Sequence, residues 1–142
     1  MRGALALRPL ALLAVLVMAS VGKRARGRSG GAVLTLAQLR ELATRVGFPD
    51  PNLAAAVAMA ESGGDPDARH IVTSPGPGAL PERSFGLWQV NVLAWPMFDA
   101  IRLAEPEYNA RAALLISQSP RGWSNWSTYT SGDYRRFLGG SP

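Results

Sequence analysis

The chain contains no cysteine and a single histidine, His70, among its 142 residues. The absence of cysteine excludes a disulfide framework and thiolate metal sites, but it does not exclude an exported protein. One histidine in a polar loop supports neither a structural zinc site nor a Ser-His-Asp triad. The turn at residues 76–78 lacks the lysine and the strand–helix setting of a phosphate-binding loop. We therefore expect no metal and no cofactor.

The formal net charge is +5, but little of this excess of positive charge lies outside the N-terminal segment. Arg2, Arg8 and the basic cluster at residues 23–28 together carry more positive charge than this total. The remainder of the chain is therefore close to neutral. A charge run outside a domain is more often a flank or linker than a binding surface, so we predict no nucleic-acid partner.

The first 22 residues lack acidic side chains and contain a long apolar stretch. Uncharged residues 9–22 match the length of a signal-peptide core and are short for a membrane span, which needs about 20 residues. The small residues Ala19, Ser20 and Gly22 offer cleavage positions, whereas the basic cluster that follows opposes translocation. We predict an export signal at residues 1–22, with an uncleaved membrane anchor as the alternative. The protein would then be periplasmic, in the cell envelope or extracellular, or virion-associated if it is phage-encoded.

Sustained alternation of apolar and polar side chains is missing, and helical spacing dominates. The sequence therefore predicts an all-α, mainly helical fold in one small domain, without internal repeats. We place a basic Gly/Ser-rich linker at residues 23–33, the domain at residues 34–138 and a tail at residues 139–142. Residues 73–81, TSPGPGALP, predict an irregular loop.

Two helices near the start of this domain have clear local start and stop signals. Thr35 and Gln38 form a capping-box pattern, leucines follow at helical spacing, and Gly47 ends the first helix. Asp50 as the N-cap and Pro51 in the first turn begin the second helix.

Proline residues predict the starts of two later helices. Pro96 opens one that runs to about Leu103, and Pro106 opens a longer one that ends before Pro120. Ser84 is expected to cap a short segment, FGLWQVN, and the stretch GWSNWSTYTSGDY predicts an aromatic and polar loop or short helix.

The second helix ends in the stretch AVAMAESGGDP, which holds a single carboxylate, Glu61, after a run of small apolar residues. Helical spacing places Glu61 next to the buried side chains of Val57 and Ala58. Desolvation and the negative end of the helix dipole both disfavour the charged carboxylate, so both should raise its pKa. A carboxyl group in this position is suited to donate a proton near neutral pH.

Four segments in a fixed order carry a family resemblance that covers roughly residues 53–134. Glu61-Ser62, SFGLWQVN, YNARAALL and WSNWSTY together resemble the lytic transglycosylase family, whose SLT domain has a lysozyme-like fold. The resemblance implies a peptidoglycan strand as partner. It also implies that Glu61 is the sole acid/base, which protonates the glycosidic oxygen between N-acetylmuramic acid and N-acetylglucosamine.

In the family mechanism, the same glutamate then takes a proton from the C6 hydroxyl, and a 1,6-anhydro ring closes. The substrate's own acetamido group stabilises the positive centre, which removes the need for a carboxylate nucleophile. Lysozyme-type hydrolysis becomes the better interpretation if Asp65, Asp67 or Glu82 faces Glu61 across the sugar. A non-catalytic glycan-binding or phage structural module on the same scaffold is a further alternative.

Seven further residues are predicted to contact the sugar chain or the catalytic glutamate, and for several of them a structural role is the alternative. Ser62 could instead be a polar helix-end residue, and Gly86 could be a turn glycine. Tyr129 is the candidate for the late tyrosine that contacts the catalytic glutamate, with Tyr108 as its competitor, whereas Trp88 is expected in the core. The predicted substrate-binding residues are Ser62, Gly86, Gln89, Asn91, Asn109, Trp126 and Tyr129.

Overall fold

A computed structural model describes residues 31–139 of the chain. The predicted export signal at residues 1–22, most of the predicted linker and most of the predicted tail lie outside the described residues. Within residues 31–139, no helix combines the length and the apolar character needed to cross a bilayer. The prediction of a mainly helical fold is confirmed, with a small sheet added to it.

The first two helices form as their capping residues predicted. Helix α1 spans Leu36–Val46, and its capping box joins the Thr35 hydroxyl to the Gln38 N–H and the Gln38 amide to the Thr35 N–H. Helix α2 spans Pro51–Ser62, with Asp50 as its N-cap and Gly63 in the left-handed conformation at its end. Because the middle of α2 is a run of small residues, α1 packs closely against it. Four alanines and one valine of this run are fully buried: Ala54, Ala55, Ala56, Val57 and Ala58.

A three-stranded antiparallel sheet follows α2, in the order β1-β2-β3. Strand β1 spans Arg69–Val72, β2 spans Glu82–Phe85 and β3 spans Val90–Asn91. The alternation rule could not find this sheet, because β1 is exposed along most of its length and β3 has only two residues. The Gly/Pro-rich segment predicted as a loop connects β1 to β2.

The prediction of a helix from Pro96 to about residue 103 is wrong. This segment is mostly turns, with a single 3₁₀ helix at Arg102–Ala104. The Asp99 side chain accepts hydrogen bonds from the N–H groups of Ile101 and Arg102, at 2.8 and 3.2 Å. A side chain that bonds to nearby backbone N–H groups favours a turn over a continuing helix.

The rest of the chain forms one long helix and several short ones. Helix α3 spans Pro106–Ser117, as the proline predicted. A 3₁₀ helix at Gly122–Asn125, helix α4 at Ser127–Ser131 and a 3₁₀ helix at Asp133–Phe137 complete the described chain. The stretch GWSNWSTYTSGDY is therefore short helices, one of the two outcomes expected for it.

Trp88 lies at the centre of the core and connects three parts of the fold. It is fully buried, as expected, and its ring stacks on Phe48 with centroids 5.6 Å apart. Its indole N–H donates to the carbonyl of Ala54 on α2 at 3.0 Å. The indole N–H of Trp126 in turn donates to the carbonyl of Trp88 at 2.7 Å. The turn between β2 and β3 is thereby held against α2 and the C-terminal helices.

Candidate active site

A cleft of ≈ 300 Å³ opens where the end of α2 meets the sheet and the C-terminal helices. Strands β2 and β3 and the residues that follow β3 form one wall, which we call the sheet wall. The helix wall consists of Glu61 at the end of α2, Ile116 of α3, Arg121 and residues 125–127. The lining residues are Glu61, Glu82, Ser84, Gln89, Val90, Asn91, Ala94, Trp95, Ile116, Arg121, Asn125, Trp126 and Ser127.

The cleft brings together half of the residues that the sequence predicted for the site. Glu61, Gln89, Asn91 and Trp126 lie on its lining. The other predicted residues lie outside it: Ser62, Gly86, Asn109 and Tyr129.

Glu61 is half-buried in the last turn of α2. Desolvation of its carboxylate by burial is the largest effect on the pKa of Glu61 and raises it above the ordinary value of 4.5. Hydrogen bonds from Thr128 and the charge of His70 lower this pKa, whereas the charge of Glu82 raises it further. The net rise biases the Glu61 carboxyl toward its protonated form, which is the direction predicted from the apolar helix end.

Thr128 is the hydrogen-bond partner of Glu61, and sequence reasoning missed it. Its hydroxyl donates to Glu61 Oε1 at 2.6 Å, across 67 positions of the chain. The adjacent Tyr129 was predicted for this contact, but its ring instead stacks on Tyr134 with centroids 4.9 Å apart. The only signal in the sequence was that a hydroxyl side chain adjoins the predicted tyrosine.

Glu82 is the second carboxylate of the cleft, and it belongs to β2. Its Oε1 accepts a hydrogen bond from the Ser84 hydroxyl at 2.6 Å, and His70 Nε2 lies 3.7 Å from its Oε2. Asp65 and Asp67, the other acids that the sequence left open, do not line the cleft. Both side chains accept hydrogen bonds from backbone N–H groups: Asp65 from that of Asp67, and Asp67 from that of Gly31. Of the three candidates, the structure therefore brings only Glu82 to the cleft with Glu61.

Gln89 and Asn91 present opposite hydrogen-bonding groups to the cleft. Gln89 Nε2 donates to the carbonyls of Ala68 and Gly86, at 3.1 and 2.9 Å, which leaves its carbonyl oxygen for a ligand. Asn91 Oδ1 accepts from two backbone N–H groups, those of Arg83 and Leu93, at 3.3 and 3.0 Å. The Asn91 amide NH₂ is then the group left for a ligand. Sugar hydroxyl and acetamido groups need both an acceptor and a donor, and this pair supplies them.

Gln89 has a backbone φ of 44°, in the left-handed region that residues other than glycine rarely adopt. Such a conformation persists only where the surrounding structure enforces it, and it is frequent at ligand sites. Here the two hydrogen bonds of the side chain and the buried turn of residues 86–88 hold it in place. The same two hydrogen bonds keep the Gln89 side chain on the cleft lining.

Asn109 and Gly86 lie behind the sheet wall, where their contacts support the turn between β2 and β3. Asn109 is fully buried; its Oδ1 accepts from the N–H of Trp88 at 2.8 Å, and its Nδ2 donates to the carbonyls of Phe85 and Leu103, both at 2.9 Å. A Cβ atom on Gly86 would lie 2.1 Å from the Leu103 carbonyl oxygen. Neither residue lines the cleft, and the contacts of both support the turn, so substrate contact by either residue stays a prediction.

Ser62 and Trp126 also have structural roles, which leave little of either side chain free to contact a ligand. The Ser62 hydroxyl donates to the carbonyl of Ala58 at 3.0 Å and accepts from the N–H of Gly64 at 3.2 Å, which closes the end of α2. Trp126 reaches the cleft but is 5% exposed, so its ring face is too covered for a pyranose to stack across it. Trp95, which sequence reasoning missed, lines the same cleft and is only half-buried. It is the better-placed aromatic surface for a sugar.

No group of three or more His, Cys, Asp or Glu side chains within residues 31–139 is arranged to hold a metal ion. The chemistry that the described cleft offers is that of two carboxyl groups with different surroundings, flanked by amide donors and acceptors.

Comparison with known proteins places this cleft in a family context. The family model described as a lysozyme like domain, SLT_3, matches residues 40–128. The matched stretch is more than half of the chain, and it contains every residue that lines the cleft as well as Thr128. No curated protein and no solved structure matches the chain.

Proposed function

The chain belongs to the SLT_3 family of lysozyme-like domains, and from that premise we propose that it cleaves the glycan strands of peptidoglycan with Glu61 as the proton donor. Lysozyme-like domains are peptidoglycan-related glycosidase domains, so the family supplies the substrate class. The bond in the proposal is the β-1,4 linkage between N-acetylmuramic acid and N-acetylglucosamine. The observation that carries it is a half-buried glutamate with a raised pKa on the lining of a polar cleft.

The first step uses a proton on Glu61, whose carboxyl group burial biases toward the protonated form. The Thr128 hydroxyl donates to Oε1, so the acidic proton is held on the other oxygen, Oε2. Oε2–H protonates the glycosidic oxygen, the bond from C1 to that oxygen breaks, and positive charge develops at C1 and the ring oxygen. General acid catalysis of this kind contributes roughly a hundredfold to ten-thousandfold in rate.

The second step depends on which group attacks C1. We propose attack by the C6 hydroxyl of the muramoyl unit, with the Glu61 carboxylate taking its proton, which yields a 1,6-anhydro end. This route needs one enzyme carboxyl, and the substrate's acetamido group stabilises the positive centre. It is the lytic transglycosylase outcome that the motif order implies.

Hydrolysis is the second candidate, and the position of Glu82 favours it. Glycosidases that add water use a pair of carboxyl groups flanking the bond, and here Glu82 and Glu61 line one cleft. Water attack would give a reducing end in place of the anhydro ring.

The test uses purified protein and its Glu61→Gln variant on peptidoglycan, with the soluble fragments weighed by mass spectrometry. Glu41→Gln, at an exposed position on α1, is the matched control for replacement of a carboxyl group by an amide. We expect Glu61→Gln to lower fragment release by about a hundredfold or more and Glu41→Gln to leave it unchanged. Equal release by wild type and Glu61→Gln contradicts the assignment. Binding without release by the wild type would instead support a non-catalytic module.

We also propose that the protein is exported through residues 1–22, because an enzyme that acts on peptidoglycan must reach it outside the cytoplasm. The apolar stretch between two basic regions supports this proposal. Sequencing the N-terminus of the protein purified from its host tests it, since a mature chain that begins near Gly22 indicates cleavage. An intact N-terminus in a membrane fraction indicates the anchor instead.

A further inference from the structure

Glu61 lies in the last turn of α2, which is the least firmly held part of a helix. The last four carbonyl groups of a helix lack partners within it, so the final turn frays unless other groups hold it. Here the Ser62 hydroxyl donates to the Ala58 carbonyl at 3.0 Å and accepts from the Gly64 N–H at 3.2 Å. The last turn of α2, and Glu61 with it, is thereby coupled to the loop that follows.

A short segment before α1, residues 31–34, lies against that loop, and we call it the N-terminal clasp. At one end, the Leu34 N–H donates to the Gly64 carbonyl at 2.8 Å. At the other end, the Gly31 N–H donates to Asp67 Oδ2 at 2.8 Å. The clasp is therefore hydrogen-bonded to the loop at two points, three residues apart in each segment.

The clasp and the loop approach each other so closely that side chains are excluded between them. Pro66 is fully buried, and a Cβ atom on Gly31 would lie 2.6 Å from Pro66 Cγ. Gly64 is buried with φ +85°, and a Cβ atom on it would lie 2.1 Å from the Leu34 carbonyl oxygen. Gly63 also has a left-handed φ, +64°, but no atom lies within 4 Å of its added Cβ. Of the two consecutive glycines, Gly64 is thus the one that the clasp requires.

The family match does not account for the clasp, because residues 31–34 precede the matched stretch of residues 40–128. The clasp follows the predicted export signal and most of the predicted linker in the chain. Leu34 at its end is half-buried and packs against the hydrophobic core. The clasp is therefore a feature of this chain that joins its N-terminal part to the loop beside Glu61.

The other groups that act on the Glu61 carboxyl lie outside the clasp. The Thr128 hydroxyl donates to it, and the charges that act on it are those of Glu82 on β2 and His70 on β1. Arg121 is the remaining charged residue of the cleft lining. Charged residues on the helices that pack against α2 are Arg40, Glu41 and Arg45 of α1 and Asp133, Arg135 and Arg136 of the last 3₁₀ helix.

We propose that the N-terminal clasp is a positioning element for catalysis, which holds the last turn of α2 so that the Glu61 carboxyl stays in contact with Thr128 on the cleft lining. This inference rests on the proposed function of Glu61. The clasp acts through the loop of residues 63–67 and not on the sugar. When the clasp is displaced, the last turn opens to water and Glu61 loses part of its desolvation. Since desolvation is the largest effect on the pKa of Glu61, that pKa should then fall toward 4.5.

The experiment compares Gly64→Ala with Gly63→Ala in the full chain. Both variants place alanine at a left-handed φ and carry a similar backbone cost, but only Gly64→Ala collides with Leu34 and displaces the clasp. We expect the NMR titration midpoint of the Glu61 carboxyl to fall by about half a pH unit or more in Gly64→Ala. It should stay at the wild-type value in Gly63→Ala.

Kinetics on peptidoglycan provide a second readout for the same pair. Because the acid is misplaced while the sugar contacts of the cleft remain, kcat should fall about tenfold in Gly64→Ala with KM changed less than about twofold. The loss of activity at high pH should begin at a lower pH than in Gly63→Ala. A mere loss of global stability lowers the folded fraction but moves neither the midpoint nor the pH profile.

A milder pair of variants tests the other end of the clasp and decides the matter if Gly64→Ala does not fold. Asp67→Ala removes the acceptor for the Gly31 N–H, whereas Asp67→Asn keeps an oxygen that can accept. Both variants remove the same negative charge, so their difference reports the hydrogen bond. We expect a lowered Glu61 midpoint in Asp67→Ala relative to Asp67→Asn.

Equal Glu61 midpoints in Gly64→Ala and Gly63→Ala would overturn the inference. If Gly64→Ala does not fold, equal midpoints in Asp67→Ala and Asp67→Asn would overturn it instead. These midpoints are measured without substrate and do not depend on fragment release. Equal release by wild type and Glu61→Gln would overturn the proposed function itself, so the two failures are distinguishable.

Discussion

The two walls of the cleft each contribute a glutamate, but they are built in different ways. The helix wall presents Glu61 from the end of an apolar helix, where burial raises its pKa and Thr128 binds its carboxyl group. The sheet wall presents Glu82 from a strand, exposed to water and in contact with Ser84. The same side chain is therefore partly desolvated on one wall and more open to water on the other.

The comparison teaches that two residues of the same type can have very different surroundings within one cleft. Desolvation disfavours charge, and donors in contact with a carboxylate favour it. An enzyme that needs one protonated and one ionised carboxyl group can obtain both from glutamate if the two environments differ. The variants below test whether each wall depends on the contacts that distinguish it.

The largest expected effect is on stability, from Gly86→Ala behind the sheet wall. Gly86 has φ +78°, and an added Cβ would lie 2.1 Å from the Leu103 carbonyl oxygen and 2.2 Å from Asn109 Nδ2. The left-handed backbone costs about 1–2 kcal/mol for alanine, and overpacking adds about 1–3 kcal/mol. We therefore expect about 3 kcal/mol of lost stability in urea unfolding.

Gly78→Ala is the matched control for this change. Gly78 has nearly the same φ, +80°, but no atom lies within 4 Å of the added Cβ. We expect it to cost about 1–2 kcal/mol from the backbone alone. Equal losses of stability in the two variants would show that the packed turn does not support the sheet wall.

The two helices that lead to Glu61 were predictable from the sequence, because neighbouring residues determine where they begin and end. Thr35, Gln38, Asp50 and Pro51 specify where α1 and α2 begin, and the small residues before Glu61 specify that its surroundings are apolar. The hydrogen bond from Thr128 was not predictable in this way. It joins positions 67 residues apart, so it depends on how the C-terminal helices pack against α2.

The sheet wall was largely unpredictable, and the reason is again physical. Strand β1 is mostly exposed, so it shows no alternation, and its partner lies beyond a Gly/Pro-rich loop. The motif SFGLWQVN identified Gln89 and Asn91 as site residues, and both lie on the cleft. It did not reveal that Gly86 and Asn109 act from behind the wall, since their contacts with Leu103 exist only after the 3₁₀ helix has packed.

A smaller effect, on catalysis, is expected from Thr128→Val on the helix wall. The change removes the Thr128 hydroxyl, which donates to Glu61 Oε1. In the wild type this hydrogen bond lowers the pKa of Glu61. We expect kcat/KM to fall about tenfold, which corresponds to about 1.4 kcal/mol and lies within the range for one lost hydrogen bond. Because the Glu61 pKa should rise further, the loss of activity at high pH should begin at a higher pH than in the wild type.

Thr128→Ser keeps the hydroxyl and is the control for this variant. It should retain most of the wild-type rate and the wild-type pH profile. A valine variant whose pH profile matches that of the wild type would show that Thr128 does not position the proton of Glu61.

The smallest expected effect is on the pH dependence of stability. A raised pKa means that folded Glu61 binds more protons than unfolded Glu61 between the ordinary value of 4.5 and the folded value. Wild-type stability should therefore fall as pH rises through this window, and Glu61→Gln should remove that loss. We expect the Tm of Glu61→Gln to exceed that of the wild type more at about pH 7 than at about pH 4. The exposed Glu41→Gln should show no such divergence, and a gap that closes toward neutral pH would contradict the sign.

The most direct test of the account is a titration of the Glu61 carboxyl carbon by NMR in the wild-type protein, with Glu61→Gln to assign its signal. We expect a midpoint above the ordinary value of 4.5, because burial at the end of α2 disfavours the charged carboxylate. A midpoint at or below 4.5 would contradict it, since Glu61 would then be ionised like an exposed glutamate and have no proton to donate near neutral pH.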